Sequence, residues 1–125
     1  MEQSMASLMD NVNGDPAINR RGVCYSTEFK LVAESYNLLF HIEDGKITGL
    51  QSNTPDLPTS GFTLTGDRKS WIRFRQKFPP PGYHDIFAML EYGHLKLDGD
   101  AMPLLSNILY VKGVLDHWRA TGVDL

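Results

Sequence analysis

Gly93-His94-Leu95-Lys96-Leu97-Asp98-Gly99-Asp100 sets two leucines in alternation between glycines, with an aspartate next in line. Alternation of this kind predicts a short strand, and Asp100 after Gly99 predicts the N-cap of a following helix, with Pro103 tolerated in its first turn. Past that cap, Ala101, Leu104, Leu105, Ile108, Val111, Leu115 and Trp118 recur at helical spacing. They predict one long helix over residues 101–119, which Gly113 bends or thins.

Working back from residue 93, the same grammar repeats. Phe62 and Leu64 alternate with Thr63 and Thr65, so residues 62–66 read as a strand, and Asp67 then caps a helix over residues 67–78 that carries Trp71, Ile72, Phe74 and Phe78. Pro79-Pro80-Pro81-Gly82 ends it, because proline denies the helical conformation to its predecessor and its own N–H to the ladder. Residues 84–92, with Ile86, Phe87, Met89 and Leu90, predict a second helix. A loop rich in Ser, Asn, Pro and Thr covers residues 51–60.

Further upstream, residues 23–33 place Val23, Tyr25, Phe29, Leu31 and Ala33 on one face, a long half-buried strand in which Cys24 is a small strand residue. Tyr36, Leu38, Phe40 and Ile42 share a face of the next strand, and Asp44-Gly45 follows. Asp-Gly between alternating segments signals a two-residue hairpin, which predicts Ile42 opposite Ile47 and Phe40 opposite Gly49. The first 22 residues read as an N-terminal extension with one short helix built on Met5, Leu8, Met9 and Val12. Residues 23–125 then form a single α+β domain, a five-stranded, mainly antiparallel β-meander with helices packed on one face.

The chain has 125 residues, 42% apolar and 22% charged, which suits one folded domain rather than a disordered or fibrous chain. A net charge of −3 argues against nucleic acid as a partner held by bulk electrostatics. One cysteine excludes an internal disulfide and any cysteine-rich zinc site. Acidic residues at the start, and the want of an apolar run near the ~18 residues of a membrane span, predict a cytoplasmic protein.

Residues 62–66 before an acidic cap and an aromatic helix, and residues 93–100 followed by Ala101, Met102, Leu104 and Leu105, resemble the sterol carrier protein type-2 family. The second segment is similar to that family's Gly-Lys-Leu-Lys-Ile-Thr-Gly-Asn run. In the order of its elements the resemblance covers roughly residues 31–109. It implies helices laid against a five-stranded sheet around a lipid tunnel, and a ligand among sterols, fatty acids and acyl-coenzyme A thioesters. Departures from the pattern are the short N-terminal helical region and the proline-lengthened break at residues 79–82.

On this resemblance, Phe40, Trp71, Phe74 and Phe78 are candidate ligand contacts from the sheet and the first helix after it. Phe87, Leu90 and Leu97 join them from the middle, and Met102, Leu105 and Leu109 from the final helix. A solid core satisfies the same periodicity. Arg73 and Arg75, with Arg68, Lys69 and Lys77, set five positive charges against Asp67 on one helix and are candidates for an anionic headgroup or a transient contact with an anionic membrane. A solvated basic face is the plainer reading. A homodimer or an enzyme partner are the remaining partner classes.

Nothing convergent and catalytic accompanies this apolar surface, so the expectation is a non-enzymatic carrier or presenter with no cofactor and no metal. Tyr83, His84 and Asp85 are the acid–base alternative, although neighbours in sequence do not share a helix face. Asp98 and Asp100 near His94 suit turn and cap duty better than a cation. His41 and His117 join no zinc spacing, and no glycine-rich phosphate loop is present.

Overall fold

A computed structural model describes residues 2–34, 36–53 and 61–121. Strands β1 (Thr27–Ala33) and β2 (Tyr36–Glu43) pair antiparallel, and β2 turns into β3 (Lys46–Ser52) through Asp44 and Gly45 at φ 49° and 77°. Positive φ at both positions is what a type I′ turn requires. Ile42 faces Ile47 as expected. Beyond that pair the register shifts, so Gly49 lies opposite His41, and Phe40 lies opposite Leu50 rather than Gly49. A bulge at Thr48 is the cause, and it gives the aromatic ring over the glycine to His41.

The expected meander is corrected by one strand. β4 (Phe62–Gly66) pairs parallel with β1, and β5 (Leu95–Gly99) pairs antiparallel with β4, giving the order β3-β2-β1-β4-β5. The sheet is therefore mixed and mostly antiparallel. Its outer β3 edge is occupied: the Asn13 side chain accepts from Ile47 N at 2.8 Å and donates to Ile47 O at 3.0 Å. With that edge covered, the chain must cross over to the open side of β1.

Two rows of side chains run across the strands into the core. Phe40, Phe29 and Phe62 stack with centroids 4.6 and 5.1 Å apart and planes 11° and 4° from parallel. Leu38, Leu31, Leu64 and Leu97 pair in register beside them. The helices complete this core. α1 (Glu2–Asn13) and α2 (Pro16–Arg21) contribute Leu8, Val12 and Ile18. α3 (Arg68–Phe74) and α4 (Ile86–Glu91) bring Trp71, Phe74, Ile86 and Met89. α5 (Met102–Ser106) adds Leu104, and α6 (Ile108–Ala120) adds Tyr110, Val111, Val114, Leu115 and Trp118.

Local differences from the sequence reading have local causes. β1 begins at Thr27, because Cys24 takes a left-handed φ of 64° and Val23 is exposed. Pro16 starts a second N-terminal helix capped by Asp15, where one helix was expected. Asp67 caps α3 through Ser70 N at 2.7 Å, but α3 closes at Phe74 and leaves Phe78 outside it. α4 starts at Ile86 because Asp85 accepts from Ala88 N at 2.9 Å.

The expected final helix divides at Asn107 (φ −136°, ψ 44°), not at Gly113. Gly113 instead lets α2 approach, since a Cβ there would stand 2.9 Å from Ile18. Residues 51 and 52 extend β3, and residues 54–60 of the expected loop lie outside the described residues.

Gly22 marks the tightest junction between the N-terminal helices and the rest. A Cβ on it would stand 2.7 Å from Gly45 Cα and from the Tyr110 ring. Gly22→Ala is expected to cost about 1–3 kcal/mol, as overpacking does. The check is a lower denaturant midpoint at unchanged slope.

Candidate functional site

The end of α3, the start of α4 and one side of α6 frame a cleft of about 280 Å³. Phe74, Ile86 and Leu115 make its apolar floor, and His84, Asp85, Lys112, Asp116 and Arg119 its charged rim. Arg119 assembles the frame. Its Nε donates to Phe74 O at 2.7 Å, its Nη2 donates to His84 O at 3.0 Å, and its guanidinium lies 4.3 Å from the Phe74 ring centroid. Lys112 Nζ stands 3.6 Å from the Asp85 carboxylate.

Burial is the largest single influence on the Asp85 carboxyl and opposes its ionisation. The Ala88 N–H and the charges of Lys112 and His84 together outweigh it and hold the carboxyl below its ordinary value.

Neither Lys112 nor Arg119 was singled out in the sequence. The signal that could have found them is helical: 112, 115, 116 and 119 share one side of α6. Leu109 lies on that same side, and Met102 and Leu105 stand one turn apart on the preceding α5. Met102, Leu105 and Leu109 are 61%, 55% and 55% exposed. Two exposed apolar side chains on α5 and one on α6, either side of the break at Asn107, thus precede the residues of the charged cleft along the chain.

The candidate ligand contacts fall into three groups. Phe40, Trp71 and Phe74 are closed into the core. Trp71 spends its indole N–H on Val32 O at 2.9 Å and packs edge-on against Phe74 and Trp118. Phe87, Leu90 and Leu97 are partly buried against that core. Phe78, Met102, Leu105 and Leu109 face outward. Only Phe74 also lines the cleft.

Arg73 and Arg75 point to different tasks. Arg75 Nη2 donates to Thr121 O at 2.6 Å and its guanidinium covers the Trp118 ring at 4.8 Å, so it ties α3 to the end of α6. Arg73 is exposed, and its Nη1 donates to the Tyr83 hydroxyl at 3.1 Å.

Tyr83 lies 3.3 Å from His94 Nδ1, with the two rings stacked at 4.2 Å. Tyr83 parts from the other two and turns to Arg73 and His94, whereas His84 Nε2 stands 3.7 Å from the Asp85 carboxylate on the cleft rim, and Asp85 also caps α4. Asp100 accepts from Met102 N at 3.1 Å in a local turn, but Ala101 rather than Asp100 is the N-cap of α5, and no group of three metal-ligating side chains occurs among the described residues.

Two tyrosines meet beneath α5. Tyr25 donates to Pro103 O at 2.6 Å, and burial pushes its hydroxyl up to about 12. Tyr110, edge-on to Tyr25 at 5.3 Å, is fully buried, and its hydroxyl has no hydrogen-bond partner among the described residues.

No protein-family model matches the chain, and no curated protein matches it in sequence. Solved structures match it in shape. Sterol carrier protein 2 superposes with a TM-score of 0.78 at 12% identity, covering 96% of each chain. A conserved hypothetical protein from Thermus thermophilus, described as a candidate sterol carrier protein, reaches 0.73 at 13% identity over 96% of this chain and 87% of its own. The ubiquinone synthesis protein UbiJ-SCP2 reaches 0.55 at 12% identity, over 88% and 87%. At such identities the likeness is one of fold, and this chain has the sterol carrier protein type-2 fold.

These side chains also set the response to acid and to loss of a hydroxyl. Hydrogen bonding to His117 is the first cause that lowers the Asp15 carboxyl, the Ser70 N–H the first that lowers Asp67, and Asp85 is lowered as described. Groups lowered in the folded state stabilise it above their ordinary value near 3.8 and lose that contribution as pH falls through the lowered value. Thermal melts are expected to fall below about pH 4, and Asp15→Asn to lower Tm at neutral pH while flattening that acid limb. Tyr110→Phe is expected to leave stability unchanged or raise it by about 1 kcal/mol, whereas Tyr25→Phe lowers it by a similar amount. Paired denaturation curves check both.

Proposed function

We propose that the protein binds a lipid-like molecule, in the class of a fatty acid, an acyl-coenzyme A or a sterol, and carries or presents it without changing it chemically. The observation that carries this reading is the exposed set Met102, Leu105 and Leu109 on a sterol-carrier fold, with Leu109 on the same side of α6 as residues of a cleft that has an apolar floor and a charged rim. Large apolar side chains that a fold leaves in water mark surface meant to be covered. Each methylene moved from water onto such surface contributes roughly 0.8 kcal/mol before the cost of ordering the ligand.

In this reading the chain of the ligand lies over Leu105 and Leu109. Its polar end reaches the cleft, where Lys112 and Arg119 carry positive charge shared with Asp85 at 3.6 Å and Asp116 at 3.3 Å. Leu109 and Arg119 are about 15 Å apart along α6, at about 1.5 Å per residue. Phe40, Trp71 and Phe74 shape the support from within. Lys112 carries the choice of ligand: an anionic end gains from it, and a neutral sterol does not.

The second reading is a non-catalytic module whose α5–α6 row docks on an enzyme. The likeness to a ubiquinone synthesis protein favours keeping it. The two readings differ in what they retain on purification. Native mass spectrometry of fresh protein is expected to show a bound lipid that solvent extraction removes. Leu105→Asp with Leu109→Asp is expected to weaken fluorescent fatty-acid binding at least tenfold at unchanged Tm, since both side chains are already exposed. Lys112→Glu is expected to weaken fatty-acid binding and spare sterol binding. An empty mass with no fatty-acid or sterol binding would overturn the carrier reading in favour of the docking module.

A further inference from the structure

We propose that the outer face of α3, with the turn that follows it, is a docking surface for an anionic lipid bilayer. Arg68, Lys69, Ile72 and Arg73 share the side of α3 opposite the buried Ser70, Trp71 and Phe74. Lys77 and Phe78, both exposed, follow in the turn after the helix, with Lys77 Nζ 5.7 Å from the Phe78 ring centroid. Ile72 is 54% exposed and Phe78, the most exposed large apolar side chain described, is 82% exposed. Phe78 sits in a bend directly before three consecutive prolines, each of which fixes its own φ. At the other end of the face Arg68 lies 6.0 Å from the ring of Tyr36, itself 47% exposed. Basic side chains therefore alternate with aromatic ones that can enter the headgroup layer, the pattern of an interfacial rather than a spanning element.

Charge distribution chooses the occupant. Residues 67–78 hold five positive side chains and one aspartate, a local balance of +4. The whole chain is at −3, so everything else carries −7. Such a polarity turns one face of the molecule toward a negative surface and turns the rest away. Arg75 belongs to the balance but not to the face, because it is bound to Trp118 and Thr121. Ile72, Phe78 and Tyr36 favour a bilayer over a soluble polyanion, since only a bilayer offers an apolar layer beneath its charges. This surface lies apart from the α5–α6 row, and its test needs no bound ligand.

The experiment is co-sedimentation of the whole chain with phosphatidylcholine vesicles, with and without phosphatidylserine, at low and high salt. Binding to the phosphatidylserine vesicles that high salt weakens is expected, with little binding to phosphatidylcholine alone. Lys69→Glu with Lys77→Glu is expected to weaken it by roughly 30-fold or more, at about fivefold for each of the two positive charges removed. Phe78→Ser is expected to weaken it several-fold with its salt dependence intact, and Lys46→Glu, on the exposed hairpin turn, to leave it unchanged. All these residues are exposed, so circular dichroism serves as the folding control. Equal binding to both vesicle types, no binding, an unaltered double charge reversal, or preference for a single-stranded oligonucleotide over vesicles would each overturn the proposal.

Discussion

Phe29 between Phe40 and Phe62 is the contact on which the rest depends. It joins an antiparallel partner on one side to a parallel partner on the other, with ring separations of 4.6 and 5.1 Å. A one-residue slip of either neighbour would turn these rings to the opposite face and break the leucine row beside them. The stack thus pins the register at the one place where the chain has crossed the sheet. Once β4 is held there, the direction in which α3 leaves it follows, and Gly66 beside Leu95 brings β5 close.

The helices are then fastened by aromatic rings and guanidinium groups together. Trp71, Phe74 and Trp118 pack edge-on and stacked within 6.0 Å, and Arg75 and Arg119 cover Trp118 and Phe74 while capturing backbone carbonyls. Trp118 fixes the inner side of α6, and Arg119 fixes the end of the adjoining side, which also carries Leu109 and Lys112. The N-terminal helices enter the same architecture through Asn13 at the β3 edge and Ile18 against Gly113.

Short-range chemistry was legible where a residue type has one strong local use. Asp44-Gly45 became a turn with both φ positive, and Asp67 became an N-cap. Leu95 and Leu97 fall in β5. Local patterns failed where a long-range contact competed. Residues 23–26 alternate like a strand yet bend at Cys24, whose N–H goes to Asp44. Gly113 looked like a break and instead gives room to Ile18, whereas the break occurs at Asn107.

The candidate site divided for the same reason. Apolar spacing on a helix states that a face is apolar, and Trp71 and Leu105 satisfy it equally. Burial depends on what stands opposite, and Trp71 met Trp118 while Leu105 met solvent. From the chain alone came the element types, the Asp67 cap, the hairpin turn and the resemblance carried by residues 93–100, because these rest on neighbours within about four positions. The parallel pairing of β4, the bulge at Thr48, and the division of apolar residues between a closed core and an exposed row came from the assembled molecule. They are set by contacts between distant segments, and sequence spacing carries no term for those.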